Sequence, residues 1–191
     1  MAVSYEPIKH VYRRGTSGMP LVIRAPEAAT QTFKTGTPLA LSSGLAQASA
    51  FGGSELVYGV SAEAGSNLSV ANTAEQGTNE GAPQNQTSAV TIPVGSRFKD
   101  GKCGVYLADE NSVFSAMLKD GQVFTQGLVS ATRYELAKDS TSGFWYIDNT
   151  SNGTNDEHCV NVTAVDPSSP NSATLGARVY FVFAPAARFG G

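Results

Sequence analysis

The chain has 191 residues, a formal net charge of -3 and 15% charged side chains, well under the roughly 25% usual for a soluble protein. That length allows one large β domain or two small ones with a real core, and the acidic balance excludes a general attraction to nucleic acid. No apolar run approaches the roughly 20 residues of a membrane helix, and Met1-Ala2-Val3-Ser4-Tyr5-Glu6-Pro7 lacks the basic-then-apolar order of a signal peptide. The expectation is a soluble protein made in a cytoplasm.

Residues 1–30 read as an extended arm. Tyr5, Ile8, Val11 and Tyr12 are apolar, while Pro7 and Pro20 prevent a long helix. Arg13-Arg14-Gly15-Thr16-Ser17-Gly18 has the composition of a cationic loop, and Leu21-Val22-Ile23 is a short strand. Pro26-Glu27-Ala28-Ala29 fits one helical turn with Pro at its first position. Two readings of the arm stay open: a terminal strand packed on its own domain, or a segment docking on a neighbouring subunit. Its aromatic and Arg residues are types enriched in interface hot spots.

Residues 31–64 form a small β lobe. Phe33-Lys34-Thr35-Gly36 turns, Pro38-Leu39-Ala40-Leu41 extends, and Ser42-Ser43-Gly44 leads into Leu45-Ala46-Gln47-Ala48; Val57 to Ala62 is a further strand. Residues 65–88 are Gly-, Asn-, Gln-, Ser- and Thr-rich and read as a long polar loop, a mobile spacer or a partner contact.

Residues 89–191 form the main β body. Strand signals lie at Ala89 to Val94, Gly104 to Ala108, Val113 to Leu118, Arg133 to Ala137, Phe144 to Asp148 and Val160 to Val165, separated by turn clusters such as Lys119-Asp120-Gly121 and Asp166-Pro167-Ser168-Ser169-Pro170-Asn171. Phe98-Lys99-Asp100-Gly101 echoes Phe33-Lys34-Thr35-Gly36, which a shared turn type explains as well as a duplication does. The last strand, within Gly176 to Ala184, alternates Val179, Phe181 and Phe183 with Arg178, Tyr180 and Val182. Apolar on both faces, it belongs in the middle of a sheet. The fold class is therefore all-β: an antiparallel sandwich or barrel, as one body or two lobes, behind an N-terminal arm.

Chemistry finds little support. His10 and His158 are the only histidines, and Asp156-Glu157-His158-Cys159 falls short of the roughly four convergent ligands of a zinc site. There is no Gly-x-Ser-x-Gly elbow, and Gly95 to Lys102 has the wrong glycine spacing for a phosphate loop. Carboxylates are available, but spacing selects no catalytic pair among them. The expectation is no enzyme, no metal and no cofactor. Cys103 and Cys159 are expected as buried free thiols, with one bridge as the alternative. The Asn-x-Ser/Thr triplets read as chance. Phe144, Trp145, Tyr146 and Tyr134 are expected to pack in the core, with a sugar-binding face as the competing reading.

Several of these segments resemble head decoration (cement) proteins of tailed bacteriophages: Phe114-Ser115-Ala116, Arg133-Tyr134-Glu135-Leu136, Ser142 to Asp148, and Gly176 to Phe183. Phe33 to Leu41 and Tyr58-Gly59-Val60-Ser61 are similar to another group of phage capsid accessory proteins. The resemblance implies a structural virion protein, made in the host cytoplasm. It would bind the outside of an assembled capsid, bridge major capsid subunits and self-associate there as a dimer or trimer, with no direct nucleic-acid or membrane contact. Under that expectation Tyr5, Ile8, Tyr12, Arg13 and Arg14 form the capsid or subunit interface. The alternatives are a carbohydrate- or receptor-binding module of a phage tail or fibre, marked by exposed aromatics around Trp145, and a β-rich hydrolase.

Overall fold

A computed structural model describes residues 3–15, 20–50, 56–65, 102–129, 132–152 and 158–189. Among them are eleven strands and no α-helix: β1 (Lys9–Arg13), β2 (Val22–Pro26), β3 (Pro38–Ser42), β4 (Leu45–Ala48), β5 (Val57–Ser61), β6 (Lys102–Leu107), β7 (Ser112–Leu118), β8 (Tyr134–Lys138), β9 (Trp145–Asn152), β10 (Cys159–Val165) and β11 (Arg178–Phe183). The strand expected at Ala89 to Val94, the polar loop beyond Gly65 and the Phe98 echo lie outside the described residues.

The strands make two sheets. One runs β1-β7-β11-β10-β8-β9, and the parallel pairing of Met117 and Leu118 with Tyr146 and Ile147 brings β9 back to β7. That contact closes β7, β11, β10, β8 and β9 into a five-strand ring. The second sheet runs β2-β6-β5-β3-β4, and its outer strands meet where Ala28 N–H donates to Ala46 C=O at 2.9 Å, beside the bridge Glu27–Ala46. Closure leaves fewer edge groups to satisfy.

The C-terminal strand takes the interior place its two apolar faces require, between β7 and β10. β7 is still more enclosed, with seven consecutive buried residues. Phe181 packs against Phe114 and Phe183, with ring centroids 5.8 and 5.4 Å away. This core continues into Val57 and Val60 of β5, so the two sheets share one apolar interior. A smaller core of Ala25, Phe33, Leu39, Ala46, Cys103 and Val105 fills the second sheet. The β3–β4 hairpin turns through Ser43 and Gly44 with φ 51° and 79°, the two positive values that a two-residue turn matched to strand twist demands.

The two sheets draw on strands from across the chain. β1 belongs to the first sheet and β2 to the second, so residues 1–30 are shared between them. β6 crosses back to the earlier strands, pairing with β2 and β5. Pro26 starts no helical turn: it ends β2, paired with Lys102, because the β6 edge offers the backbone a ladder.

Phe181→Ala should cost about 3–5 kcal/mol, the range for emptying a fully buried aromatic site. A lowered urea midpoint with an unchanged denaturant slope is the expected readout. Val182→Ala, on the half-buried face, should move the midpoint far less.

Candidate functional site

The N-terminal residues are held by one buried cation. Arg178 opens β11 at the end where β11 pairs with Met117, and its guanidinium donates to Ser115 Oγ (3.0 Å), Ser115 C=O (2.9 Å), Pro7 C=O (3.0 Å) and Glu6 (3.1 Å). Ser115 in turn donates to Asp166 Oδ2 at 2.9 Å. Burial pushes the Arg178 pKa down, opposed by the charges of Glu6 and Asp166. A buried charge needs this many partners to stay ionised.

That clamp determines where the expected interface residues go. Ile8 is 3% exposed and belongs to the main core. Tyr5 stacks on Tyr146 at 4.6 Å, and its hydroxyl accepts from Asp120 N–H. Arg13 pairs with Asp109, its Nε 3.1 Å from Oδ2. Tyr12, 38% exposed, meets Tyr180 edge-on, and Arg14 is exposed while its N–H donates to Asn111 C=O. The five are therefore not brought together as one exposed anchor; Tyr12 and Arg14 are the two that face solvent.

At the opposite end of β11 from the Arg178 clamp, the two sheets frame an open cleft of about 690 Å³, lined among others by Arg13, Tyr58, Asp109, Glu110, Arg188 and Phe189. Its floor is fixed by backbone: Val57 and Arg188 form a parallel bridge, and Phe189 N–H donates to Val57 C=O at 3.0 Å. Phe189 stands over Tyr58, edge to face at 6.0 Å, and remains 56% exposed. Asp109 is held by Arg13 and by the N–H groups of Asn111 and Ser112. Burial pushes its carboxyl up, but the Arg13 guanidinium and the Ser112 N–H outweigh burial and leave it below the usual carboxylate range.

Two histidines, His158 buried and His10 half-buried, join the sheets. His158, at φ 58°, lies 2.5 Å from Ser49 Oγ through Nε2 and stacks on Trp145 at 5.5 Å. His10 stacks on Tyr106 of the second sheet and meets Phe114 edge-on, and burial pushes its pKa down, towards the neutral ring. The Ser49–His158 pair has the atoms of a nucleophile and base, but both residues are buried, so it serves as a cross-sheet bond. Sequence reasoning missed it because Ser49 and His158 are 109 residues apart.

Trp145 is 1% exposed, while Phe144, just before β9, and Tyr146 are half-buried. The aromatic platform required by the carbohydrate reading is therefore not built around Trp145, whose ring is occupied by His158. No group of three or more metal-ligating side chains occurs among the described residues; Asp156 and Glu157 lie outside them. Cys103 and Cys159 are buried and unbridged. Burial first, then the charges of Glu27 and Glu63, push the Cys103 thiol up to about 12. No helix among the described residues is long and apolar enough to cross a membrane.

Comparison with protein-family models, curated protein sequences and solved structures returned no match.

Ser49→Ala removes one partner of a buried imidazole and should cost about 1–3 kcal/mol in urea unfolding. Neither thiol should react with iodoacetamide in the native protein at pH 8, while both should react in denaturant, as read by intact mass. The folded Asp109 pKa lies below its unfolded value of about 3.9, so its stabilisation is present above that pH and lost as pH falls through the folded value. Asp109→Asn should therefore lower the urea midpoint at pH 6 and flatten its decline below pH 4.

Proposed function

We propose that this protein is a structural virion protein that binds the outer surface of an assembled phage capsid and stabilises it by bridging major capsid subunits. The observation that carries this reading is where the decoration-protein-like segments fall. Phe114 to Ala116 lie in β7, Tyr134 to Leu136 in β8, Trp145 to Asp148 in β9 and Arg178 to Phe183 in β11. These are four of the five strands of one closed ring, so the resemblance follows a structural unit rather than scattered turns.

The physical logic is linkage. A protein that binds only the assembled, expanded shell stabilises that form by mass action, with no catalysis needed. Copies on equivalent sites, associated as dimers or trimers, gain avidity if their geometry allows simultaneous engagement. The surface offered to a capsid subunit includes Tyr12 and Arg14; Leu21 and Val22 are further solvent-exposed apolar positions. Ile8 and Arg13 support this surface from within. Deleting residues 2–18 would remove β1 and the Arg178 partners together, so point changes are the cleaner test.

The experiment is co-sedimentation with expanded and unexpanded shells of the cognate phage. The wild-type protein should pellet stoichiometrically with expanded shells and raise their melting temperature. The double substitution Tyr12→Ala and Arg14→Ala should reduce occupancy about tenfold or more, the loss of two hot-spot side chains, with an unchanged urea midpoint. Failure of the wild-type protein to bind any shell form refutes the reading.

A further inference from the structure

In the cleft between the two sheets, two arginines and two carboxylates line the space, and among these described residues one ion pair is made. Arg13 is neutralised by Asp109. Arg188, which also lines the cleft, has its backbone pinned to Val57, yet its Nε is buried without an acceptor. Glu110 also lines the cleft and forms no ion pair with it. A guanidinium nitrogen out of water and unbonded carries a desolvation penalty, and such a group in a native protein calls for a partner. Around it stand Tyr58 and the half-exposed ring of Phe189, which offer an apolar wall beside the charge.

We infer that this cleft is a binding site for a carboxylate monoanion carried on an apolar group, received by Arg188 with Tyr58 and Phe189 covering the apolar part. The guanidinium fork matches a carboxylate in two parallel hydrogen bonds. Phosphate shares the fork geometry, but Asp109 and Glu110 face the same space and repel a dianion more strongly than a monoanion. The aromatic wall favours a ligand with an apolar body for the same reason that ligand pockets combine few polar groups with apolar lining. The carboxylate has two possible sources: an acidic side chain on a peptide segment, or a small free acid. The site is a property of this chain alone, whatever surface the protein docks on.

The test is an NMR titration of the full chain, following the arginine Nε–H signals and the backbone amide of Asn111. The probes are acetyl-Ala-Glu-Phe-amide, 3-phenylpropionate, the Gln and amide counterparts of each, and inorganic phosphate. Both acids should shift the Arg188 signal saturably, and the neutral counterparts should not. Arg188→Gln should weaken the response at Asn111 about tenfold or more, the loss of a charged hydrogen-bonded contact. Glu110→Gln, which removes a competing charge, should tighten binding of both acids. A peptide that binds more tightly than phenylpropionate assigns the natural ligand to a chain-borne carboxylate; the reverse assigns it to a small acid. Equal shifts with the neutral probes, tighter binding of phosphate, or unchanged affinity in Arg188→Gln with an unchanged urea midpoint each overturn the proposal.

Discussion

Everything in this fold depends on β7 being covered on all sides. One of its edges pairs with β11; the other is divided between β1 at the start of the strand and β9 at its end. With seven buried residues in succession, β7 is stable only when both faces and both edges are occupied. The parallel contact with β9 closes the ring, and the antiparallel contact with β1 draws the N-terminal segment into the body. Remove either and backbone groups at the centre of the sheet lose their partners.

What the sequence revealed, and what it hid, follows from the range of the interactions. Phe181 and its neighbours announced an interior strand through a two-residue period, which is a local property. The β3–β4 hairpin was legible for the same reason, since Ser43 and Gly44 supply the positive φ values its turn needs. β1 was not legible as a strand of the main sheet. Its residues are mixed, Val11 falls at a register shift, and its place is fixed by Arg178 reaching Glu6 across 172 positions. β7 was recognisable as extended, yet Ser112 and Ser115 gave no sign of full burial. Ser115 is tolerated inside only because it bonds to both Arg178 and Asp166. The cleft was invisible for a like cause: Arg13 and Asp109 are 96 residues apart, and Arg188 comes from beyond the last strand.

The contacts between the sheets combine an apolar filling with a few directional bonds. Val57 and Val60 entering the Phe114 core supply non-directional adhesion, because burying apolar area is favourable whatever its orientation. Direction comes from polar pairs. Ser49 meets His158, Lys34 donates to Ser142 C=O at 2.7 Å while lying 4.8 Å from the Phe144 ring, and His10 stacks on Tyr106. A sliding of one sheet over the other would leave the buried Ser49–His158 pair unsatisfied, at a cost near the whole worth of that bond. The neutral ring favoured by the burial of His10 suits this role, since a charged one would bring desolvation cost into the junction.

This rigidity has a consequence for binding. A partner that docks on a surface already fixed does not have to order it, so less of the contact energy is consumed by lost conformational freedom. Arg188 and Phe189 illustrate the point, because their backbone positions are set by the main-chain bridge to Val57. The same holds for Tyr12, whose ring rests against Tyr180 of the central strand. The charged group and the aromatic groups that meet solvent here are therefore anchored to the two sheets that share the core. Under the proposed capsid-binding role, that coupling would make the stability of the fold and the strength of attachment depend on the same buried strands.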